Sequence, residues 1–167
     1  MAYTENVIPT MTDFTSPSGE VSADAYYTTY YPWKALDKNT SSYWYIYSQA
    51  VPHYLQYDFG VGVTKKITKY TILPFSGSQY FPVSFKLQGS NNGSDWSDLD
   101  TQTDLTTGWE TDVRRVFTFS NSTSYRYYKL LISAVEAVGS PQVIIKEFEM
   151  MEDLPVQEQA GFLLNFI

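Results

Sequence analysis

The chain has 167 residues, a formal net charge of −7, 43% hydrophobic and 17% aromatic residues, and no cysteine. That is length enough for one domain with its own core, and the missing thiols exclude disulfides and thiolate metal sites. Basic residues are few, and the only arginines are Arg114, Arg115 and Arg126, so no basic patch is available for nucleic acid or an anionic membrane surface.

In chain order, residues 6–19 hold Pro9, Pro17 and Gly19 and read as extended and irregular. Residues 30–36 form the one weakly helical stretch, about a single turn. The loop that follows carries side-chain oxygens at Asp37, Asn39, Thr40, Ser41 and Ser42 and closes on Trp44-Tyr45-Ile46-Tyr47, which reads as a strand. Such a loop can satisfy its own backbone as a turn, or it can wrap a hard cation such as Ca²⁺.

Further strands are expected at 54–59, 66–73, 83–89, 114–119, 125–133 and 142–151, separated by turn clusters. Several alternate in character. Phe85 and Leu87 share one face and Lys86 and Gln88 the other. Phe117 and Phe119 share a face with Arg115. By the same parity Ile145, Glu147 and Glu149 oppose Ile144, Lys146, Phe148 and Met150. One buried and one wet face is the antiparallel signature. Asn92-Gly93 marks a tight turn, 74–77 and 138–141 are loops by their Gly and Pro content, and the Thr-rich 101–107 is a polar surface connection. No solenoid or propeller repeat is visible. The expected fold class is all-β, a sandwich or barrel.

Composition changes after residue 152. Residues 157–160 are polar, and 161–167 read Gly-Phe-Leu-Leu-Asn-Phe-Ile. The expected organisation is a sandwich domain over 1–152 and a tail over 153–167 that anchors the chain to a partner or to a second copy, because an exposed apolar run is a liability in a monomer. No stretch approaches the roughly 18 apolar residues of a membrane span. The start lacks the basic-then-apolar order of a secretory signal. A chain working outside a cell would then leave by another route, or be a fragment or mature form.

Enzyme readings fail on residue types. A Ser-His-Asp site would have to use His53, the one histidine, and no Gly-x-Ser-x-Gly elbow accompanies it. No histidine pair is available for zinc. A glycosidase needs two carboxylates across a cleft. Here Asp95, Asp98, Asp100 and Asp104 read as turn residues, and Glu147 and Glu149 lie on one strand about 7 Å apart by strand rise. The 15 tyrosines point elsewhere. Tyr joins an apolar ring to a polar tip and suits wet recognition surfaces for sugar or protein.

Four segments, in order, resemble the discoidin / coagulation-factor type C domain and the related galactose-binding-like carbohydrate-binding modules. They are Trp33-Lys34-Ala35-Leu36-Asp37 through Trp44; Tyr54-Leu55-Gln56-Tyr57-Asp58-Phe59-Gly60; the hairpin from Phe85-Lys86-Leu87-Gln88 to Asn92-Gly93-Ser94-Asp95-Trp96; and Tyr125-Arg126-Tyr127-Tyr128-Lys129-Leu130, followed by Glu147. The resemblance covers residues 6–152 and implies a jelly-roll β-sandwich of about eight antiparallel strands.

It also implies a structural Ca²⁺ held by the side chains of Asp37 and Ser42, the carbonyls of Lys34, Asn39 and Lys146, and the Glu147 carboxylate. Lys38 stands where the family pattern carries Gly. A hydrogen-bonded turn with Asp37 capping backbone amides is the alternative. Family ligands sit in loops at one end of the sandwich, here 25–33, 45–53 and 75–81. Those loops make Tyr26, Tyr30, Tyr31, Tyr45, His53, Ser78 and Tyr80 the candidate sugar-binding residues. The third loop lacks the Arg that galactose-binding relatives often place there. Trp44, Trp96 and Trp109 read as packing residues.

The opening 6–12 and the run Tyr30-Tyr31-Pro32-Trp33-Lys34-Ala35-Leu36-Asp37 resemble, in style, discoidin-type modules of bacteriophage structural proteins. The expectation is a non-catalytic glycan-binding component on a virion or extracellular surface, with the tail fixed to a virion protein or to itself. The alternative is a structural or decoration protein of a capsid or tail, touching only protein.

Overall fold

The structure is a computed structural model, and it describes residues 2–136 and 141–154. The apolar end of the expected tail, and most of the expected 138–141 loop, lie outside the described residues. Nine strands are described: β1 (Glu20–Ala23), β2 (Trp44–Tyr47), β3 (His53–Asp58), β4 (Ile67–Pro74), β5 (Pro82–Ser90), β6 (Ser97–Gln102), β7 (Arg115–Thr118), β8 (Tyr127–Val135) and β9 (Gln142–Glu152). One 3₁₀ turn, Pro32–Ala35, falls where a single helical turn is expected.

The strands form two antiparallel sheets packed face to face, ordered β1-β3-β8-β5-β6 and β2-β9-β4-β7. Leu55, Phe85, Leu87, Leu130 and Ile132 of the first sheet meet Trp44, Ile46, Tyr70, Ile72, Val143 and Phe148 of the second, all buried in one core. Alternation places them there: β3 buries every second residue, and so does β5 from Val83 to Gly89.

Two strands escape the alternation argument. β6 contains Asp98 and Asp100, expected in turns, within Ser-Asp-Leu-Asp, a poor strand composition. It is an edge strand whose acids are all partnered. Asp98 accepts from Lys86 and Gln88, each at 2.6 Å, and Asp100 accepts from the Tyr70 hydroxyl at 2.7 Å. β1 is a four-residue edge strand paired with β3. Both edges gain their strand character from a neighbour.

β9 also corrects the expected face of Ile145. Opposite β4 the register runs Leu73↔Glu147 and then Pro74↔Ile145, so Lys146 is the extra residue of a bulge. The bulge reverses parity. Val143 and Ile145 before it face the core, and so do Phe148 and Met150 after it.

Pairing of Ala23 with Leu55 and of Val135 with Pro82 sets the end of β1 and the starts of β3 and β5 at one end of the sandwich. Loops 24–31, 48–52 and 75–81 gather there. A fourth, 103–114, joins them unanticipated: the Gly77 amide donates to Thr111 Oγ1 at 3.0 Å. A Cβ at Gly77 would lie 2.8 Å from the Trp109 carbonyl oxygen, so the close approach of these two loops requires glycine.

Candidate functional site

β2 builds the most distinctive surface of this end. Trp44 and Ile46 are fully buried, so Tyr43, Tyr45 and Tyr47 project from the opposite side. The Trp44 indole donates to the Ala25 carbonyl at 3.0 Å and fixes the strand against the preceding loop. Around the three tyrosines the rings form a connected band. Tyr27 lies 5.5 Å from Tyr45 and 5.3 Å from Tyr47 between centroids. Tyr30 stacks on Tyr43 at 4.8 Å and 16°. Phe75 meets Tyr43 at 5.2 Å.

Tyr27, Tyr47 and Phe75 are exposed. The Tyr30 hydroxyl beside it and partial burial push Tyr43 up to about 12. Burial and the neighbouring Tyr47, Tyr27, Tyr80 and Tyr30 raise Tyr45. These hydroxyls stay protonated at neutral pH, and that of Tyr45 donates to Gln142 Oε1 at 2.8 Å.

The expected sugar residues fall into separate places. Tyr30 and Tyr45 belong to the band. Tyr26 and Tyr31 form a second group with Phe14 and Trp33, Tyr26 and Tyr31 being 5.2 Å apart. The Lys34 amino group bridges the two groups, 5.9 Å from the Tyr30 ring and 5.8 Å from Tyr31. Tyr80 is half-buried at φ +66°, and its backbone bonds to Glu136 and Ile144. Ser78 is exposed, with its amide and hydroxyl on the Ser76 hydroxyl. Tyr43 and Phe75 were missed as candidates. The Tyr-Trp-Tyr-Ile-Tyr alternation is the signal that points to Tyr43; Phe75 had none.

His53 departs from expectation. It is 3% exposed, with Nδ1 2.6 Å from Asp24 Oδ2 and Nε2 3.2 Å from the Gln49 carbonyl oxygen. Asp24 Oδ1 accepts the Tyr54 amide at 2.7 Å. The ring therefore ties loop 24–31 to loop 48–52 and leaves neither nitrogen for a sugar.

The oxygen-rich loop lies beside this surface. Asp37 Oδ1 accepts the Asn39 amide at 2.9 Å, so the loop is a self-satisfied turn in part. Lys38 adopts φ +57°, the left-handed backbone for which the family pattern uses Gly. The Ser42 hydroxyl sits 2.6 Å from Asp37 Oδ2 and 2.9 Å from the Asn39 carbonyl oxygen. A turn does not explain Glu147. Its side chain is 0% exposed, and both carboxyl oxygens are buried without a hydrogen-bond partner. Burial first, and then the Asp37 charge, push it up to about 8, against a lowering pull from Arg114.

Orphaned carboxylate oxygens facing a second carboxylate, with neutral oxygens from Ser42 and Asn39, are the donor set of a hard cation. Among the described residues no three His, Cys, Asp or Glu gather, so a cation here would have to draw most of its set from neutral oxygens. Asp37, Asn39, Ser42 and Glu147 are thus chemically compatible with the expected Ca²⁺ set. Lys34, on the 3₁₀ turn packed against β9, and Lys146, in the bulge, belong to adjoining segments.

The sequence profile of the F5/8 type C domain matches residues 18–147. The chain belongs to the F5/8 type C domain family. No curated protein matches the chain. Solved structures agree with the fold of this F5/8 type C domain. The family 32 carbohydrate-binding module of C. perfringens NanJ, solved with galactose, is 22% identical with a TM-score of 0.64, covering 80% of this chain and 93% of that one. The corresponding module of AlyQ, solved with 4,5-unsaturated mannuronic acid, is 15% identical with a TM-score of 0.66, covering 92% and 100%. A further C. perfringens module, in complex with GalNAc-β-1,3-galactose, is 17% identical with a TM-score of 0.64, covering 79% and 94%. The expected galactose-binding-like sandwich is therefore the fold of this chain.

Proposed function

We propose that this F5/8 type C domain is a non-catalytic carbohydrate-binding module whose ligand lies on the tyrosine band at the loop end of the sandwich. The observation that carries the reading is the connected ring network of half-buried Tyr30, Tyr43 and Tyr45 with exposed Tyr27 and Tyr47. Sugars present apolar C–H faces beside dense hydroxyls, and a site for them needs aromatic ring faces with phenolic and backbone donors alongside. Structures of the same fold solved with galactose and with GalNAc-β-1,3-galactose support it. The one histidine is buried with both nitrogens engaged, which removes the nearest general base from any nucleophilic hydroxyl.

The proposal includes a structural Ca²⁺ bound by Asp37, Ser42 and Glu147 with the carbonyls of Lys34, Asn39 and Lys146. The ion would supply charge compensation that locks loop 37–42 to β9. It includes a setting as well: a bacteriophage virion surface on which the domain attaches to host glycans and the apolar run 161–167 docks on a virion protein or a second copy. The style of residues 6–12 and 30–37 supports that setting.

A glycan array read with the full chain tests the central claim. Binding that falls with Tyr30→Ala or Tyr45→Ala is expected. Silence on every glycan, together with tight binding to a capsid or tail protein, would overturn it in favour of a protein-only structural role. Deleting 155–167 and measuring mass in solution and incorporation into particles tests the tail. No change in either sinks the anchoring role.

A further inference from the structure

The outer side of the four-stranded sheet carries a recess of about 410 Å³ beside the tyrosine band, bordered by Thr40, Ser41, Tyr43, Phe75, Asp112 and Lys146. That volume is within the roughly 300–1,000 Å³ of ligand sites. Four segments distant in sequence make it: the oxygen-rich loop and the start of β2, the end of β4 with its following loop, loop 103–114 through Asp112, and the bulge of β9. Lys146 is there because of that bulge. As the extra residue it turns to the outer face, where its amino group bonds the Asp112 carboxylate and lies 5.7 Å from the Phe75 ring centroid. Tyr43 belongs to both features. It lines the recess and stacks on Tyr30 within the band.

We infer that the recess is a second sugar subsite, and that the domain binds an internal stretch of a neutral glycan chain laid along β2 rather than one terminal sugar. This rests on the carbohydrate reading above and extends it. Tyr43, Tyr45 and Tyr47 recur every second residue on one strand, so their rings span about 13 Å. That length exceeds one sugar ring, and the recess prolongs it past Tyr43.

The lining selects the class of chain. Lys146 is 14% exposed and already neutralised by Asp112, which is 63% exposed and has carboxylate oxygen facing solvent. The pair thus presents hydrogen-bond donors and acceptors without net charge, beside the hydroxyls of Thr40 and Ser41. An apolar protein surface laid over it would strip water from an ion pair and return nothing. A polyhydroxylated chain can replace that water bond for bond.

Affinity electrophoresis of the full chain through gels containing galactan, xylan, mannan, β-glucan, pectate or alginate comes first. Calorimetry then follows with one- to six-residue oligosaccharides of whichever polymer retards it. Retardation by a neutral polymer and about tenfold tighter binding of the hexamer than of the monosaccharide are expected. Thr40→Val and Ser41→Ala, which each remove one hydroxyl from the recess lining, should each weaken hexamer binding about threefold and leave monosaccharide binding within twofold. Affinity independent of length, hexamer binding untouched by both substitutions, or retardation by pectate and alginate alone would overturn the inference while leaving carbohydrate binding intact. Silence on every polymer and on their monosaccharides would remove both readings.

Discussion

The buried carboxyl of Glu147 faces that of Asp37, close enough for the two to share a proton, and no amide, hydroxyl or cationic side chain donates to either Glu147 oxygen. Burial, reinforced by Asp37, moves Glu147 from 4.5 to about 8. The folded state therefore holds a proton that the unfolded chain releases at lower pH. Without a cation, the Glu147 contribution to stability is full below pH 4.5 and is lost as pH rises towards 8, by roughly a few kcal/mol. In the proposed clip a Ca²⁺ would take the proton's place. Thermal melts at pH 5, 7 and 9 with Ca²⁺ or chelator should show a calcium-dependent rise in Tm that is small at pH 5 and largest at pH 9. Glu147→Gln should raise the chelated Tm at pH 9 and abolish the response. A Tm indifferent to chelator at every pH sinks the cation clip.

Tyr47→Ala removes an exposed ring, 47% accessible, from the end of the band. Glycan affinity should fall about three- to tenfold while stability changes by less than about 1 kcal/mol. Calorimetry beside a melting curve reads both. Unchanged affinity would move the ligand off β2.

His53→Ala should behave differently. It unties loops 24–31 and 48–52 and leaves Asp24 without its imidazole partner, at a cost of about 1–3 kcal/mol. Saturating ligand should restore part of the lost Tm, because on the proposed reading loop 24–31 carries Tyr27 and Tyr30 of the binding band. Direct sugar contact by His53 predicts the opposite pattern, with affinity lost and Tm preserved.

At the far end of the sandwich, Arg126 grips both oxygens of Asp58 at 2.6 Å each. Burial works against ionisation of Asp58, but Arg126 and the Gly60 amide outweigh it and hold the carboxyl below its ordinary value. The resulting stability is present above the unfolded carboxyl's range near pH 4 and is lost as pH falls through the depressed value. Asp58→Asn should lower Tm at pH 6 by more than it does at pH 2. An equal loss at both values would assign the effect to packing rather than charge.

Much of the fold was readable residue by residue. β3, β4, β5, β7, β8 and β9 lie where alternation and turn chemistry place them, because a half-buried strand imprints its period directly on the chain. β6 was not readable, since its acidic composition argues against a strand until Asp98 meets Lys86 and Gln88 across the β5–β6 hairpin and Asp100 meets Tyr70 of β4 in the other sheet. The bulge at Lys146 was equally silent. Nothing local to Ile145 or Glu147 reveals that parity reverses between them, as the reversal arises from the register against β4.

The candidate site divides the same way. The residues of the oxygen-rich loop and the tyrosine alternation of β2 were determined by sequence alone, because both are local: one a density of short polar side chains, the other a period of two. Tertiary structure alone decided that His53 is an internal tie, that Glu147 is stranded against Asp37, and that Phe75 and Lys146 meet Tyr43 at a recess. Each of those facts depends on which strands become neighbours, and that choice belongs to the packing of two sheets around one core rather than to any short stretch of the chain.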